Sequence, residues 1–283
     1  MRIQIDDVKL FFDVEGSKLR PNGQAMQQMP TLLLLHGGPG FDHSGFKPAF
    51  SEMAKIAQVV YLDLRGNGRS DAGPANKWCV QQWAEDVHSF CDALSIEHPV
   101  VFGHSLGGIV AMVYALRYSS HPSKLILSST STQPVGERSF VVFERLGGSR
   151  ARDAAIAFWT HPNEGSLIRY KELCLPLYTR TSPPGGVFER AVRNPAMRLV
   201  FFESELQQLD LLRQLARIRC PTLIMAGEDD PITPIEDMED IAAAMRSDLV
   251  KLERFPNAGH GVFRDRPEAF FRHLTDFISI KGG

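Results

Sequence analysis

The spacing of apolar and polar positions changes character along the chain. In "MRIQID" and "VKLFFDVEG" the two kinds alternate, the period of strands with one wetted face, so the N-terminal stretch predicts a strand pair. The polar "SKLRPNGQAMQQMP" that follows reads as a loop. Beyond it the runs become short and apolar on both faces: "TLLLLHG" (31–37), "VVYLDLRG" (59–66), "PVVFGHS" (99–105), "KLILSST" (124–130), "PTLIMAG" (221–227) and "LVKLERF" (249–255). Such runs predict buried parallel strands covered by helices on each side.

Helical periods fill the gaps. "VQQWAEDVHSFCDAL" (80–94) places Trp83, Val87, Phe90 and Leu94 on one face, and "PEAFFRHLTDFISI" (267–280) opens with Pro267 in a first turn. Strand and helix in alternation predict an α/β fold with a doubly wound, mostly parallel sheet. Between the runs ending near Thr130 and starting at Pro221 the alternation stops. The patterns there, "ARDAAIAFWTH", "GSLIRYKELCLPLY" and "NPAMRLVFFESELQQLDLLRQLARI", are helical and broken by "SPPGG". The expected organisation is a core of residues 1–132 and 220–283 with a helical cap, or lid, inserted as residues 133–219.

Composition narrows the classes. A chain of 283 residues fits one such core carrying a large insertion. With 43% hydrophobic residues, 23% charged residues and a formal net charge of -2, nothing points to nucleic acid or an anionic membrane. No apolar run approaches the roughly 20 residues that cross a bilayer, and the N-terminus lacks the pattern of a secretory signal. Cys79, Cys91, Cys174 and Cys220 show neither zinc-ligand nor redox spacing. The expectation is a cytoplasmic protein acting on a small molecule, with a homo-oligomer left open.

The chemistry is carried by "GHSLGG". Gly103-x-Ser105-x-Gly107 joins an apolar run to a helical one, which makes it a tight strand-to-helix turn presenting the serine hydroxyl. Leu106 N–H would then sit at a helix N-terminus, aimed where negative charge collects on an attacked carbonyl. A serine hydroxyl needs a base, and the base an orienting acid. "GEDDPITP" and "NAGHGVF" each follow an apolar run, so Asp230 and His260 reach the same sheet edge as Ser105; Asp229 is the weaker acid of its pair. "HGGPG" supplies a glycine-rich loop whose Gly38 is the second expected oxyanion donor. No cofactor is required, and the histidines show no H-x-x-x-H or H-E-x-x-H metal pattern.

Taken in order, "HGGPG", "DLRGNGRSD", "GHSLGG", "GEDDPITP" and "NAGHGVF" resemble the α/β-hydrolase superfamily over essentially the whole chain. "HGGPG" with "DLRGNGRS" is similar to the branch containing proline iminopeptidases. The resemblance implies Ser105 as nucleophile, Asp230 as acid, His260 as base, and Gly38 and Leu106 as the oxyanion hole. Two departures stand out: Leu106 follows the serine where those peptidases usually carry tryptophan, and Pro231 stands where many place a glutamate for the substrate's amino terminus. "GHSLGG" is closer to esterases, enol-lactone hydrolases and carbon–carbon bond hydrolases.

The function expected from these residues is hydrolysis of a small carboxylic ester, lactone or amide through an acyl-enzyme. The alternatives are an iminopeptidase-type aminopeptidase using cap residues Glu203 or Glu205, a carbon–carbon bond hydrolase, and a ligand receptor with little turnover. Phe41, His43, Phe143, Trp159, Phe202 and Glu203 are the expected substrate contacts. Arg65 and Arg69 are read as braces of the loop near the site, and His36 and His104 as packed imidazoles.

Overall fold

The computed structural model describes residues 1–182, 185–186, 189–197 and 210–280. Strands β1 (Arg2–Ile5) and β2 (Val8–Glu15) form the N-terminal antiparallel pair. Then β5 (Thr31–Leu35), β6 (Gln58–Leu62), β7 (Val100–His104), β8 (Lys124–Ser128), β9 (Thr222–Gly227) and β10 (Val250–Phe255) run parallel to one another, with β2 antiparallel on β6. The order across this eight-stranded sheet is β1-β2-β6-β5-β7-β8-β9-β10. Each of the six apolar runs has become a strand.

One stretch differs from expectation. "SKLRPNGQAMQQMP" is not a plain loop but a hairpin of β3 (Leu19–Asn22) and β4 (Ala25–Gln28), turning at Gly23 with φ +61°. Both strands lie largely in solvent, so neither carries the apolar face that would have betrayed it. The Asn22-Gly23 pair was the available signal, since glycine takes that backbone conformation without steric cost.

Helices cover both faces because the parallel strands are apolar on both. In β5, Leu33 and Leu35 enter the core shared with α1 (Val80–Ala93) and α2 (Leu106–Arg117), while Leu32 and Leu34 enter the opposite one. Among the residues described between β8 and β9, helices α3 (Glu137–Thr160) and α4 (Glu164–Leu173) pack together around Phe143, Phe158 and Tyr170. Gly148 breaks α3 with φ +74°. After β9 come α5 (Ile235–Ala244), the short α6 (Val262–Asp265) and α7 (Pro267–Ser279). Among the described residues no helix is long and apolar enough to cross a membrane.

Phe50 sits at the centre of the second core, fully buried, with the rings of Phe46, Phe102, Phe263 and Phe271 within 4.9–5.4 Å of its own centroid. These rings come from the segment after the glycine-rich loop, from β7, from α6 and from α7. One cluster thus anchors several segments that carry the site. Phe50→Ala is expected to destabilise the fold by about 3–5 kcal/mol through lost burial and a residual cavity. Denaturant unfolding checks this, and a loss below about 1 kcal/mol would contradict the assigned packing.

Candidate active site

Ser105 lies between β7 and α2 with φ 53° and ψ -122°, a left-handed conformation that a non-glycine residue holds only when its surroundings impose it. Close backbone approach imposes it here. A Cβ at Gly103 would stand 2.3 Å from the Gly107 carbonyl oxygen, and one at Gly107 would stand 2.1 Å from that of Leu35. The helix therefore rests directly on the strand ends. Ser105 N–H donates to the Ser128 carbonyl at 3.0 Å, and the Thr130 hydroxyl donates to the Ser105 carbonyl at 2.8 Å, fixing the turn from β8.

The Ser105 hydroxyl is 3.0 Å from His260 Nε2, and His260 Nδ1 is 2.9 and 3.1 Å from the two Asp230 oxygens. The carboxylate accepts from Nδ1–H, which leaves the Nε2 lone pair to accept from the serine. Asp230 is 1% exposed, and each of its oxygens is otherwise satisfied: Oδ1 accepts from the Ile232 and Thr233 amides at 2.8 and 3.0 Å, and Oδ2 from the Thr233 hydroxyl at 2.6 Å. Asp229 points elsewhere, accepting from Arg145 on α3 at 2.6 Å. A hydroxyl, an imidazole and a buried carboxylate in this row can move a proton from oxygen to nitrogen while the charge formed is stabilised.

His260 is also gripped through its backbone. His260 N–H donates to the Tyr178 carbonyl at 2.7 Å, and the Tyr178 ring meets the imidazole edge-on at 5.7 Å between centroids. Buried Asp265 accepts from Gly259 N–H at 2.8 Å through Oδ2, and its Oδ1 accepts from the amides of Arg180 and Thr181, both at 2.9 Å, and from the Thr181 hydroxyl at 2.7 Å. One carboxylate thus clasps the segment that follows α4 to the loop carrying the imidazole. Sequence reasoning missed Asp265, because a lone acid in "GVFRDRPEAF" looks like an ordinary helix-end charge.

Gly37 and Gly38 bring the glycine-rich loop against the serine. A Cβ on Gly37 would lie 3.2 Å from Ser105 Cβ, and one on Gly38 would lie 3.8 Å from a Leu106 methyl carbon. Leu106 N–H belongs to the first turn of α2, where amides have no intrahelical acceptor. "DLRGNGRS" holds this loop: Asn67 Oδ1 accepts from Gly40 N–H at 2.7 Å, and Arg69 donates to Asp42 at 2.6 Å. Arg65 is fully buried and forks onto Asp86 with two bonds of 2.8 Å. Although burial would raise the Asp42 pKa, hydrogen bonds from Ser44, the Val192 amide and Arg69 hold it below the ordinary carboxylate value.

The remaining histidines are structural in their contacts. His104 is pushed well below the usual imidazole range by burial, then by the charges of His260 and Arg264, and its Nδ1–H donates to the Ser128 carbonyl at 3.2 Å. His36, likewise lowered by burial, donates through Nδ1 to the Gly37 carbonyl at 2.7 Å and accepts from Leu64 N–H at 3.2 Å. Both are neutral.

The expected substrate contacts are dispersed. His43 is buried, bonded to Asp63 through its amide at 2.9 Å and its ring at 2.7 Å, and stacked on Phe11, so its ring serves to fix the loop. Phe143 is fully buried inside the insertion, and Trp159 donates to the Tyr170 hydroxyl at 3.1 Å. Phe41 is half-buried with the Arg193 guanidinium 5.4 Å from its ring centre. Phe202, Glu203 and Glu205 lie outside the described residues.

Fold and geometry agree with a family model: residues 30–267 match that of the alpha/beta hydrolase fold, and the chain belongs to this family. It is a hydrolase of the α/β-hydrolase type. Among curated proteins it is similar to the proline iminopeptidase PfmaB of Pestalotiopsis fici, 24% identical over 95% of this chain and 98% of that one. The putative carbamate hydrolase RutD of Escherichia coli is 28% identical over 84% of this chain and 88% of its own length. Among solved structures, a proline iminopeptidase of Mycobacterium smegmatis superposes with TM-score 0.76 at 21% identity, covering 98% of this chain and 97% of that one. An esterase of Exiguobacterium antarcticum does so with TM-score 0.74 at 23% identity, covering 98% of both chains.

The clasp is testable without any substrate. In Asp265→Ala the amides of Gly259, Arg180 and Thr181 lose their acceptor, and hydrogen exchange at these positions is expected to accelerate by about five- to thirtyfold, the factor set by losing roughly 1–2 kcal/mol of local stability. Unchanged protection at all three would remove Asp265 from this role.

Proposed function

We propose that the chain is a serine hydrolase that cleaves a small carboxylic ester, lactone or amide through an acyl-enzyme. Ser105 is the nucleophile, His260 the general base and then acid, and Asp230 the group that fixes the imidazole tautomer and stabilises its charge. The Gly38 and Leu106 amides form the oxyanion hole. Residues 133–219 act as a cap on the core made of residues 1–132 and 220–283, and bound the substrate space. The single observation carrying this reading is the unbroken row from Oγ through imidazole to carboxylate, with 3.0 Å at the serine and 2.9 Å at the acid.

The steps follow from that row. Nε2 takes the hydroxyl proton as Oγ bonds to the substrate carbonyl carbon, and the two amides bind the oxygen that becomes negative. Collapse breaks the bond to the leaving group, which receives the proton from Nε2. Water, deprotonated by the same nitrogen, then attacks the acyl group and releases the acid, restoring Ser105.

A second reading, release of N-terminal residues from peptides, has support from the likeness to proline iminopeptidases and from "HGGPG". Two features weigh against it. Pro231 follows the acid where an amine-binding carboxylate is needed, and the adjacent Asp229 is already engaged by Arg145.

With p-nitrophenyl acetate and butyrate, Ser105→Ala is expected to lose at least about a thousandfold in kcat. Equal rates for variant and wild type would end the proposal. Asp230→Asn, which allows the wrong imidazole tautomer, is expected to fall by about 10⁴ in kcat with the fold intact by circular dichroism. A prolyl amide turned over far faster than either ester would instead establish the peptidase reading.

A further inference from the structure

The chemistry proposed above leaves Arg264 without a task. It stands in α6, four residues after His260, and its side chain folds back across the intervening glycine: a Cβ at Gly261 would lie 2.8 Å from Nη1. Nη2 donates to the Gly45 carbonyl at 3.0 Å, in the turn continuing from the glycine-rich loop. The guanidinium therefore bridges the loop bearing the imidazole and the loop facing the serine. It lies 4.4 Å from the centre of the Phe263 ring, and its charge is felt by His104, the neighbour of Ser105.

Unlike the arginines that brace the loops around the site, it has no counter-ion among the described residues. Arg65 is matched by Asp86, Arg69 by Asp42, Arg138 by Asp237 and Arg145 by Asp229. Among the described residues no carboxylate forms an ion pair with half-buried Arg264. Asp265, next in sequence, spends its oxygens on the amides and hydroxyl of the clasp. A second cation is near instead: Arg190 donates to the Ser44 carbonyl at 3.2 Å and to that of Lys47, on the same turn. Burial pushes the Arg264 pKa down to about 10, with Asp265 opposing and Arg190 adding to the fall. A partly desolvated guanidinium gains most from a carboxylate, which its fork of donors fits in pairs.

We propose that Arg264 is a specificity-determining residue that receives a free carboxylate of the substrate, so that the esters, lactones or amides cleaved at Ser105 are those of acid-bearing molecules. This rests on the hydrolase reading. An anion at Arg264 supplies the missing counter-charge, and the positive field of two arginines disfavours the protonated amine that a peptidase substrate would carry.

Two substrate pairs test it, one for each side of the scissile bond: p-nitrophenyl monoadipate against p-nitrophenyl hexanoate, and 4-acetoxybenzoate against 4-methylphenyl acetate. The wild type is expected to favour the charged member of at least one pair by about tenfold or more in kcat/KM, the discrimination of one charge-assisted contact. Arg264→Met is expected to bring that ratio to near one, chiefly through KM, and Arg264→Lys to keep part of it. Should the methionine variant not fold, Arg264→Gln, which removes the charge but keeps a polar side chain, is read in its place. No preference on either pair, or a ratio untouched in the neutral variant, overturns the inference. Turnover of the neutral esters without preference sinks this inference alone, whereas no turnover of any of the four removes the hydrolase reading with it.

Discussion

The site depends on how closely α2 is allowed to approach the ends of β5 and β7. Three glycines leave the space: side chains at 103 and 107 would overlap backbone oxygens, and one at 108 would stand 2.6 Å from Thr130. With that space empty the helix settles onto the sheet, and the residue before it must reverse direction in one step. Ser105 absorbs the reversal in a backbone conformation that costs on the order of 1–3 kcal/mol. The packing of a helix buried from Leu106 to Ala115 offsets that cost.

A second device recurs around this turn. Buried carboxylates accept from loop amides and fix loops that have little regular structure of their own. Asp63 takes the amides of His43 and Arg69, Asp42 those of Ser44 and Val192, Asp230 those of Ile232 and Thr233, and Asp265 those of Gly259, Arg180 and Thr181. An ionised carboxylate is costly to bury unless its lone pairs are met, and here each oxygen meets donors that also need partners. Satisfaction of acid and loop is mutual, which is why the rim stays ordered while formed mainly of turns.

The sheet was legible because parallel strands buried on both faces announce themselves as apolar runs, and strand ends told which loops share an edge. That Ser105, Asp230 and His260 would stand together was legible from that topology, with the glycines marking the sharp turn. The hairpin at 19–28 was not, since its exposed strands have no apolar period. The clasp at Asp265 was hidden for another reason: its partners are backbone amides 84, 85 and 6 residues away, and amides leave no trace in side-chain pattern. His43 has a neighbourhood in the sequence that is that of the site, while its ring turns to Asp63 and Phe11.

Such contacts also join the segment after α4 to the loop of His260. The segment leaving α4 lends its Tyr178 carbonyl to His260 N–H, and the next residues bind the same Asp265 that holds Gly259. Tyr178 in turn shares its hydroxyl with Tyr170, which receives the indole N–H of Trp159. The aromatic interior of the insertion is therefore continuous with the imbedding of the imidazole. The Tyr178 carbonyl is the point where that interior meets the backbone of His260, whose Nε2 stands 3.0 Å from Ser105 Oγ. The segment after α4 and the loop carrying His260 are therefore held as one piece, because the same carbonyl and the same carboxylate bind both.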